Sequence, residues 1–228
     1  PYLVGGKKFD LRIYILVTSY HPLTVWAYRS GFARFTFHRY SMEKGDISRT
    51  EIHITNVAVQ KLDKGYDKEQ EGSKWDLRLL RQYLESRHGV NIVNRCFLQM
   101  QHLCVRSLQS VVPVIINDKH CFELYGYDVL IDNEMKPWLI EVNASPSLTA
   151  DTATDYKMKA SMLDDVLTVI DMERRLPEGL TQIGGWDLIQ NADGYLGSER
   201  SMIGCFNDRD RQLRRLERSV VRAGAKGR

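Results

Sequence analysis

Two apolar stretches, residues 127–132 and 136–143, carry oxygen-bearing side chains where the strands of a hairpin would be buried. Asp128 is on the first, Glu141 and Asn143 on the second. Alternation along a strand puts Glu141 and Asn143 on one face, opposite Trp138, Ile140 and Val142. A turn centred on Glu134 and Met135 brings Asp128 directly across from Glu141, on that same face. Two carboxylates and an amide oxygen converging on an apolar sheet call for a cation to neutralise them. An all-oxygen set with room for phosphates suits Mg²⁺ better than zinc or iron. The plainer reading is a pair of strand carboxylates facing water.

Other charges sit where a strand should be buried. Lys8, Asp10 and Arg12 fall at i, i+2 and i+4 and project from one face of a strand whose other face is wholly apolar. Their face continues into Tyr14 and Leu16, which implies a half-enclosed surface. Lys and Arg bind phosphates, one as a point charge and the other as a bidentate fork, and an Asp between them can orient both. The alternative is a solvated face with self-paired charges. Arg34, inside Phe32-Ala33-Arg34-Phe35-Thr36-Phe37, needs an anionic partner, either a structural acid or a substrate. His53-Ile54-Thr55-Asn56 groups polar side chains at the end of a short strand, a ligand-binding edge or a capped turn. Lys74 and Lys159 say nothing individually, because most lysines are surface lysines.

The elements that must position these groups follow from periodicity. Phe9, Leu11, Ile13, Ile15 and Val17 alternate as one strand face, His21-Pro22 marks a turn, and residues 25–40 read as one or two aromatic strands broken at Gly31. Residues 43–49 and 61–73 read as polar loops. Ser73, with Asp76 three residues on, predicts the cap of a helix whose stripe is Leu77, Leu80 and Leu84, ending at Gly89. Val93, Cys96, Phe97, Met100, Leu103, Ser107, Leu108 and Val111 predict a second helix, stopped by Pro113. The hairpin follows, then the loop Asn143-Ala144-Ser145-Pro146-Ser147. A third helix is expected over about 155–172 on Leu163, Val166, Leu167 and Ile170, and residues 178–206 read as irregular. Strands, then helices, then a hairpin give an α+β domain over 1–175, with an irregular basic tail over 176–228.

The bulk numbers narrow the classes. A chain of 228 residues with 43% hydrophobic content can bury a core, and no stretch approaches the ~20 apolar residues of a membrane span. Four cysteines without a CxxC pair point to a reducing, intracellular setting. The net charge is +3, but residues 209–228 hold eight Lys or Arg against Asp210 and Glu217, so the rest of the chain is acidic. Such a basic end suits an acidic partner, or is a solvated terminus. No P-loop, dinucleotide-binding glycine pattern or Ser–His–Asp set is present, so a nucleotide site here has to clasp phosphates between sheets. The first residue, Pro1, suggests a piece of a longer chain.

Taken in order, several motifs resemble the tubulin–tyrosine-ligase-like family. They are Gly5-Gly6-Lys7-Lys8-Phe9-Asp10-Leu11-Arg12, Gly31-Phe32-Ala33-Arg34-Phe35, His53-Ile54-Thr55-Asn56, Gly126-Tyr127-Asp128, and the run from Trp138 through Ser147. The likeness covers residues 2–172 and is nearest to the short, glutamate-adding members of cilia and flagella.

That resemblance implies the C-terminal half of an ATP-grasp fold using ATP and Mg²⁺. Asp128, Glu141 and Asn143 then look like the Mg²⁺ ligands. Lys8, Phe9 and Asp10, with Thr55 and Asn56, look like nucleotide contacts. Arg12 and Arg34 look like the clamp on the γ-phosphate and substrate carboxylate, and Lys74 and Lys159 like lysines holding the incoming amino acid. His53 adjoins the site without an assigned role. The implied partners are free glutamate and the acidic tails of tubulin in microtubules, with no nucleic acid. The implied place is the cytoskeleton, in an axoneme or basal body. The resemblance also implies that an upstream domain and first ATP-grasp half are missing. A glycine or tyrosine ligase and a non-catalytic microtubule-binding subunit are the competing expectations.

Overall fold

The computed structural model describes residues 1–60, 74–116, 118, 121–150, 152–196 and 200–226. The strands are β1 (Leu3–Val4), β2 (Lys7–Tyr20), β3 (Leu23–Tyr28), β4 (Phe32–Phe35), β5 (Lys74–Asp76), β6 (Glu123–Ile131), β7 (Pro137–Asn143), β8 (Gln182–Ile183), β9 (Trp186–Asn191) and β10 (Gly194–Tyr195). The helices are α1 (Thr50–His53), α2 (Val57–Gln60), α3 (Leu77–His88), α4 (Val90–Val111), α5 (Ala153–Ile170) and α6 (Arg209–Lys226). Every pairing among the described strands is antiparallel, so the domain is helix plus antiparallel sheet, as the α+β reading expects.

The long strand β2 organises the sheet. One edge pairs with β4 and then β3, the other with β1 and β6, and both its faces are covered. Phe9, Leu11, Ile13, Ile15 and Val17 face α3 and α4 in the main core, with Leu77, Leu80, Leu84, Phe97 and Met100 against them. Tyr14 and Leu16, on the other face, enter a second core with Met162 and Val166 of α5, Trp186 of β9 and Leu216 of α6. A strand with apolar residues on both faces reads as a near-continuous hydrophobic run, as residues 11–17 do.

Several sequence expectations change. Helix α3 starts at Leu77 with Asp76 as cap, its Oδ1 accepting from Arg78 N at 2.7 Å, because residues 74–76 are drawn into the sheet as β5. The expected cap Ser73 and the expected loop 61–73 lie outside the described residues, and the polar loop 43–49 contains a 3₁₀ turn, Lys44–Asp46. His53 ends the short helix α1 rather than a strand, since Gln60 Nε2 donates back to the carbonyls of Glu51, at 3.1 Å, and Ile54. Helix α5 buries Met162 and Val166, while Leu167, expected in its stripe, is 66% exposed.

Residues 182–195, expected to be irregular, contain the strands β8, β9 and β10. Strand β9 pairs with β3 and carries the sheet outward to β10. Its alternation is disguised by Asp187, whose carboxylate is buried against Arg29 at 2.6 and 2.7 Å. The expected basic tail forms α6 as far as Lys226.

Candidate active site

Register decides which charged groups meet. Residues directly opposite across a ladder project from the same face, and the pairs stack into rows. Lys74 of β5 faces Arg34 of β4, which faces Asp10 of β2. In the next row Phe32 faces Arg12, Arg12 faces Asp128 of β6, and Asp128 faces Glu141 of β7. In the third, Tyr14 faces Gly126, which faces Asn143. Five strands therefore deliver Lys74, Arg34, Asp10, Arg12, Asp128, Glu141 and Asn143 to one surface.

The hairpin reaches this register by an irregularity. Val129 pairs with Leu139 but Asp128 with Glu141, so Ile140 is the extra residue of a bulge. The expected facing of Asp128 and Glu141 is present. The expectation that Trp138 lies on the opposite face is not, because Trp138 pairs with Leu130 and shares the face of Asp128. Nor is β7 buried: among the described strands it pairs with β6 alone, and Trp138 and Ile140 are 47% and 58% exposed. Trp138 is steadied by its indole N–H, donated to Asp132 at 2.8 Å, and by the Lys136 ammonium 4.0 Å from its ring centre.

At the centre, two guanidiniums and two carboxylates form a ladder. Arg12 donates to both oxygens of Asp128 at 2.5 and 3.1 Å. Arg34 donates to Asp128 Oδ2 at 2.7 Å and to both oxygens of Asp10, at 2.8 Å on Oδ1. The anionic partner that Arg34 requires is thus a pair of structural acids, Asp10 and Asp128. Burial pushes the Asp128 carboxyl up, but hydrogen bonding by Arg12 and the charges of Arg34 and Arg12 outweigh it, so Asp128 sits below the usual carboxylate range. Burial works against the Arg34 charge, and Asp10 and Asp128 more than reverse it.

A second cluster lies beside the first. Asp155, in the first turn of α5, takes Lys74 at 2.5 Å and Lys159 at 3.0 Å. Tyr14 stands between the clusters: burial pushes its hydroxyl up to about 12, and its field includes Arg12, Asp155, Arg34 and Asp128. At the other end Lys8 donates to His53 O at 2.7 Å, which fastens the 53–56 segment to β2. Burial lowers the Lys8 ammonium, against the charge of Asp10. Thr55 beyond it is buried, and Asn56 accepts from Val59 N and Gln60 N with its carbonyl. The Phe9 side chain is turned away from the site: its ring packs edge-on to Tyr2 and tilted against Phe35 in the main core.

The donor chemistry fits a hard divalent cation. Asp128 and Glu141 face each other, and Asn143 donates its amide N–H to Glu141 at 3.0 Å and to Gly126 O at 3.3 Å, so its carbonyl oxygen is the end that could meet a cation. Among the described residues no three His, Cys, Asp or Glu side chains cluster as a ready-made metal cage. Two acids and an amide, with phosphates completing the shell, is the arrangement Mg²⁺ favours over an all-protein cage.

The sequence model of the tubulin-tyrosine ligase family matches residues 1–177. The chain belongs to that family. Among curated relatives, the probable tubulin polyglutamylase TTLL9 of Bos taurus is 50% identical over 234 residues, covering 96% of this chain and 50% of its own length. The probable alpha-tubulin polyglutamylase Ttll1 of Tetrahymena thermophila is 44% identical over 207 residues, 91% of this chain and 47% of its own. The tubulin polyglutamylase TTLL5 of Mus musculus is 38% identical over 185 residues, 75% of this chain and 14% of its own. The chain thus spans about half the length of the first of these family members.

Three features of this family member were not visible in its sequence. Asp155 read only as the start of a helix; its i, i+4 spacing to Lys159 was the available signal. Phe32, whose ring lies 3.8 Å below the Lys74 ammonium, read as an ordinary strand aromatic. Gln60, buried and holding Phe37 N at 2.6 Å, ties the 51–54 segment to the end of β4 and had no motif around it.

Proposed function

We propose that the full-length protein is an ATP- and Mg²⁺-dependent ligase that adds glutamate to glutamate side chains of tubulin tails, and that this chain is the C-terminal half of its ATP-grasp domain. The observation that carries the reading is the row Arg12–Asp128–Glu141 with Arg34 and Asp10 beside it, in a chain half identical to proteins named probable tubulin polyglutamylases.

The chemistry needs positioning more than a nucleophile. The acceptor carboxylate oxygen attacks the γ-phosphorus of ATP, the bond to the β-phosphate oxygen breaks, and ADP leaves an acylphosphate. The amine of free glutamate then attacks the acyl carbon, phosphate departs, and the amine proton is released. Bound Mg²⁺, held by Asp128, Glu141 and Asn143, would neutralise phosphate charge. Arg12 and Arg34 offer guanidinium forks to the phosphoryl oxygens and the acceptor carboxylate, where charge is spread during transfer. Lys8 and Asp10, with the Thr55–Asn56 edge, line the nucleotide side, and Lys74 and Lys159 hold the incoming amino acid. The place of action is the cytoskeleton, in a cilium or flagellum.

Glu141→Gln in the full-length protein is expected to abolish ATP-dependent incorporation of labelled glutamate, a loss of about two orders of magnitude or more. It should do so without unfolding, because Glu141 is exposed. Undiminished incorporation contradicts the metal assignment. The 228-residue chain by itself is expected to incorporate none.

A second reading, a docking surface for acidic tails, is favoured by α6. Arg211, Arg214, Arg215 and Arg218 lie at i, i+3, i+4 and i+7 on its exposed side, while Gln212 and Leu216 face inward. Co-sedimentation with microtubules should fall steeply with salt and be lost when these four arginines become glutamate. Unchanged binding removes α6 from the interface.

A further inference from the structure

Asp155 has no part in the phosphoryl-transfer row, yet it is the most deeply enclosed carboxylate near it, 1% exposed. Its Oδ2 takes the Lys74 ammonium at 2.5 Å, and Lys159 reaches Oδ1 at 3.0 Å and Oδ2 at 3.2 Å. Lys159 also donates to Thr149 O at 2.5 Å. The two ammonium groups lie 3.8 and 6.0 Å from the centre of the same Phe32 ring. Backbone support is equally specific: Asp155 N donates to Thr152 Oγ1 at 3.1 Å, which fixes the first turn of α5. A carboxylate is removed from water at high cost unless it is paired. Here it is paired with cations from β5 and from one turn along α5, which converge on its two oxygens.

We propose that Asp155 is a positioning residue, setting the spacing of Lys74 and Lys159 so that the pair forms a two-point anchor for the carboxylate groups of the incoming amino acid. The inference rests on the reading of those lysines given above and goes beyond it. A lysine holds its charge on a flexible four-carbon stem and loses rotamer freedom when it binds. Two lysines pinned to one buried carboxylate have already lost that freedom, so the ordering cost falls on folding rather than on substrate capture. Each ammonium has three donors; Lys159 already meets both Asp155 oxygens and Thr149 O, and so serves the anchor through its charge. Lys74 is the more open of the two, its side chain 20% exposed against 8% for Lys159, which puts it nearer the substrate.

The test is steady-state kinetics on the full-length protein with an acceptor peptide, varying ATP and free glutamate separately. Asp155→Asn should raise KM for glutamate on the order of tenfold, the scale of coupling between groups in contact. KM for ATP and kcat should stay within about twofold of wild type, the additivity limit for separate sites. In a Lys74→Ala/Lys159→Ala background the same substitution should add nothing. Asp155→Glu keeps the charge balance but moves the anchor by one methylene, so it should also raise KM for glutamate; a purely structural charge would leave it at the wild-type value. If both lysine variants leave KM for glutamate unchanged, the amino-acid site itself is wrong. If they raise it but Asp155→Asn and Asp155→Glu do not, or if the effects simply add, the positioning role alone is overturned.

Discussion

Asp128 illustrates how one residue serves stability and chemistry at once. Its carboxylate takes hydrogen bonds from Arg12 and Arg34, of which Arg34 is also held by Asp10. Because its folded pKa lies below the ordinary value, its contribution to stability is fully present above the unfolded-state pKa of ~3.9 and is lost as pH falls through the folded value. Asp187 has the opposite sign: burial outweighs Arg29 and raises it, so the folded chain gains stability as pH drops from the raised value towards ~3.9. Below pH ~4 the unfolding free energy of wild type should therefore fall more steeply than that of Asp128→Asn. Denaturant titrations at a series of pH values check this, and parallel curves would refute it. The same residue marks a boundary of sequence reading. Its place opposite Glu141 was legible from the hairpin, whereas its two guanidinium partners come from β2 and β4 and had no local trace.

At the scale of elements, the site depends on how closely β2 and β6 approach. Gly126 lies between Tyr14 and Asn143 in the third row, and a Cβ there would meet Pro146 Cβ at 2.8 Å and Arg12 Cδ and Nη1 at 3.1 and 3.2 Å. The bare backbone leaves the lane in which the Arg12 side chain runs to Asp128. Gly126→Ala should displace that guanidinium and cost about 1–3 kcal/mol, the usual price of overpacking. Activity of the full-length protein should fall more than stability alone predicts. A crystal structure or Arg12-specific NMR signal in the variant checks the displacement, and an unmoved Arg12 contradicts it. Periodicity found β2, α3, α4 and β6 because each buries a regular face. It missed β5 and misread residues 53–56, since three- and four-residue elements carry too few positions to show a period.

At the scale of the molecule, the residues beyond the family match are built into the domain. Arg29, fully enclosed, pairs with Asp187 and with Asp208 at 2.6 Å, and its carbonyl accepts from Gly204 N. Arg81, equally buried, donates to the carbonyls of Ser201 and Ile203 at 3.0 and 2.5 Å. Arg209 reaches Asp165 at 2.8 Å on α5, the helix that begins at Asp155. Removing residues 200–228 strips partners from two buried guanidiniums, and should cost roughly 3–5 kcal/mol, the scale of breaking a buried pair. A denaturation midpoint unchanged by that truncation would show the segment to be dispensable. The competing picture of a solvated terminal tail predicts no such loss.

Local pattern was enough to show an α+β domain, the strand that carries Lys8, Asp10 and Arg12, and the hairpin that carries Asp128, Glu141 and Asn143. Those follow from alternation and turn chemistry, which act between near neighbours in the chain. The face of Trp138, the burial of Asp155 and the strand at residues 186–191 could not be read that way. Each depends on a partner far along the chain or on a single bulged residue: the register of β7 against β6, two lysines 81 residues apart from or four residues along from one carboxylate, and the Arg29–Asp187 pair. A buried charge looks like a surface charge in sequence, because burial is a property of the packed whole. In the folded chain the Asp128–Glu141 hairpin is one end of a charged surface to which five strands contribute.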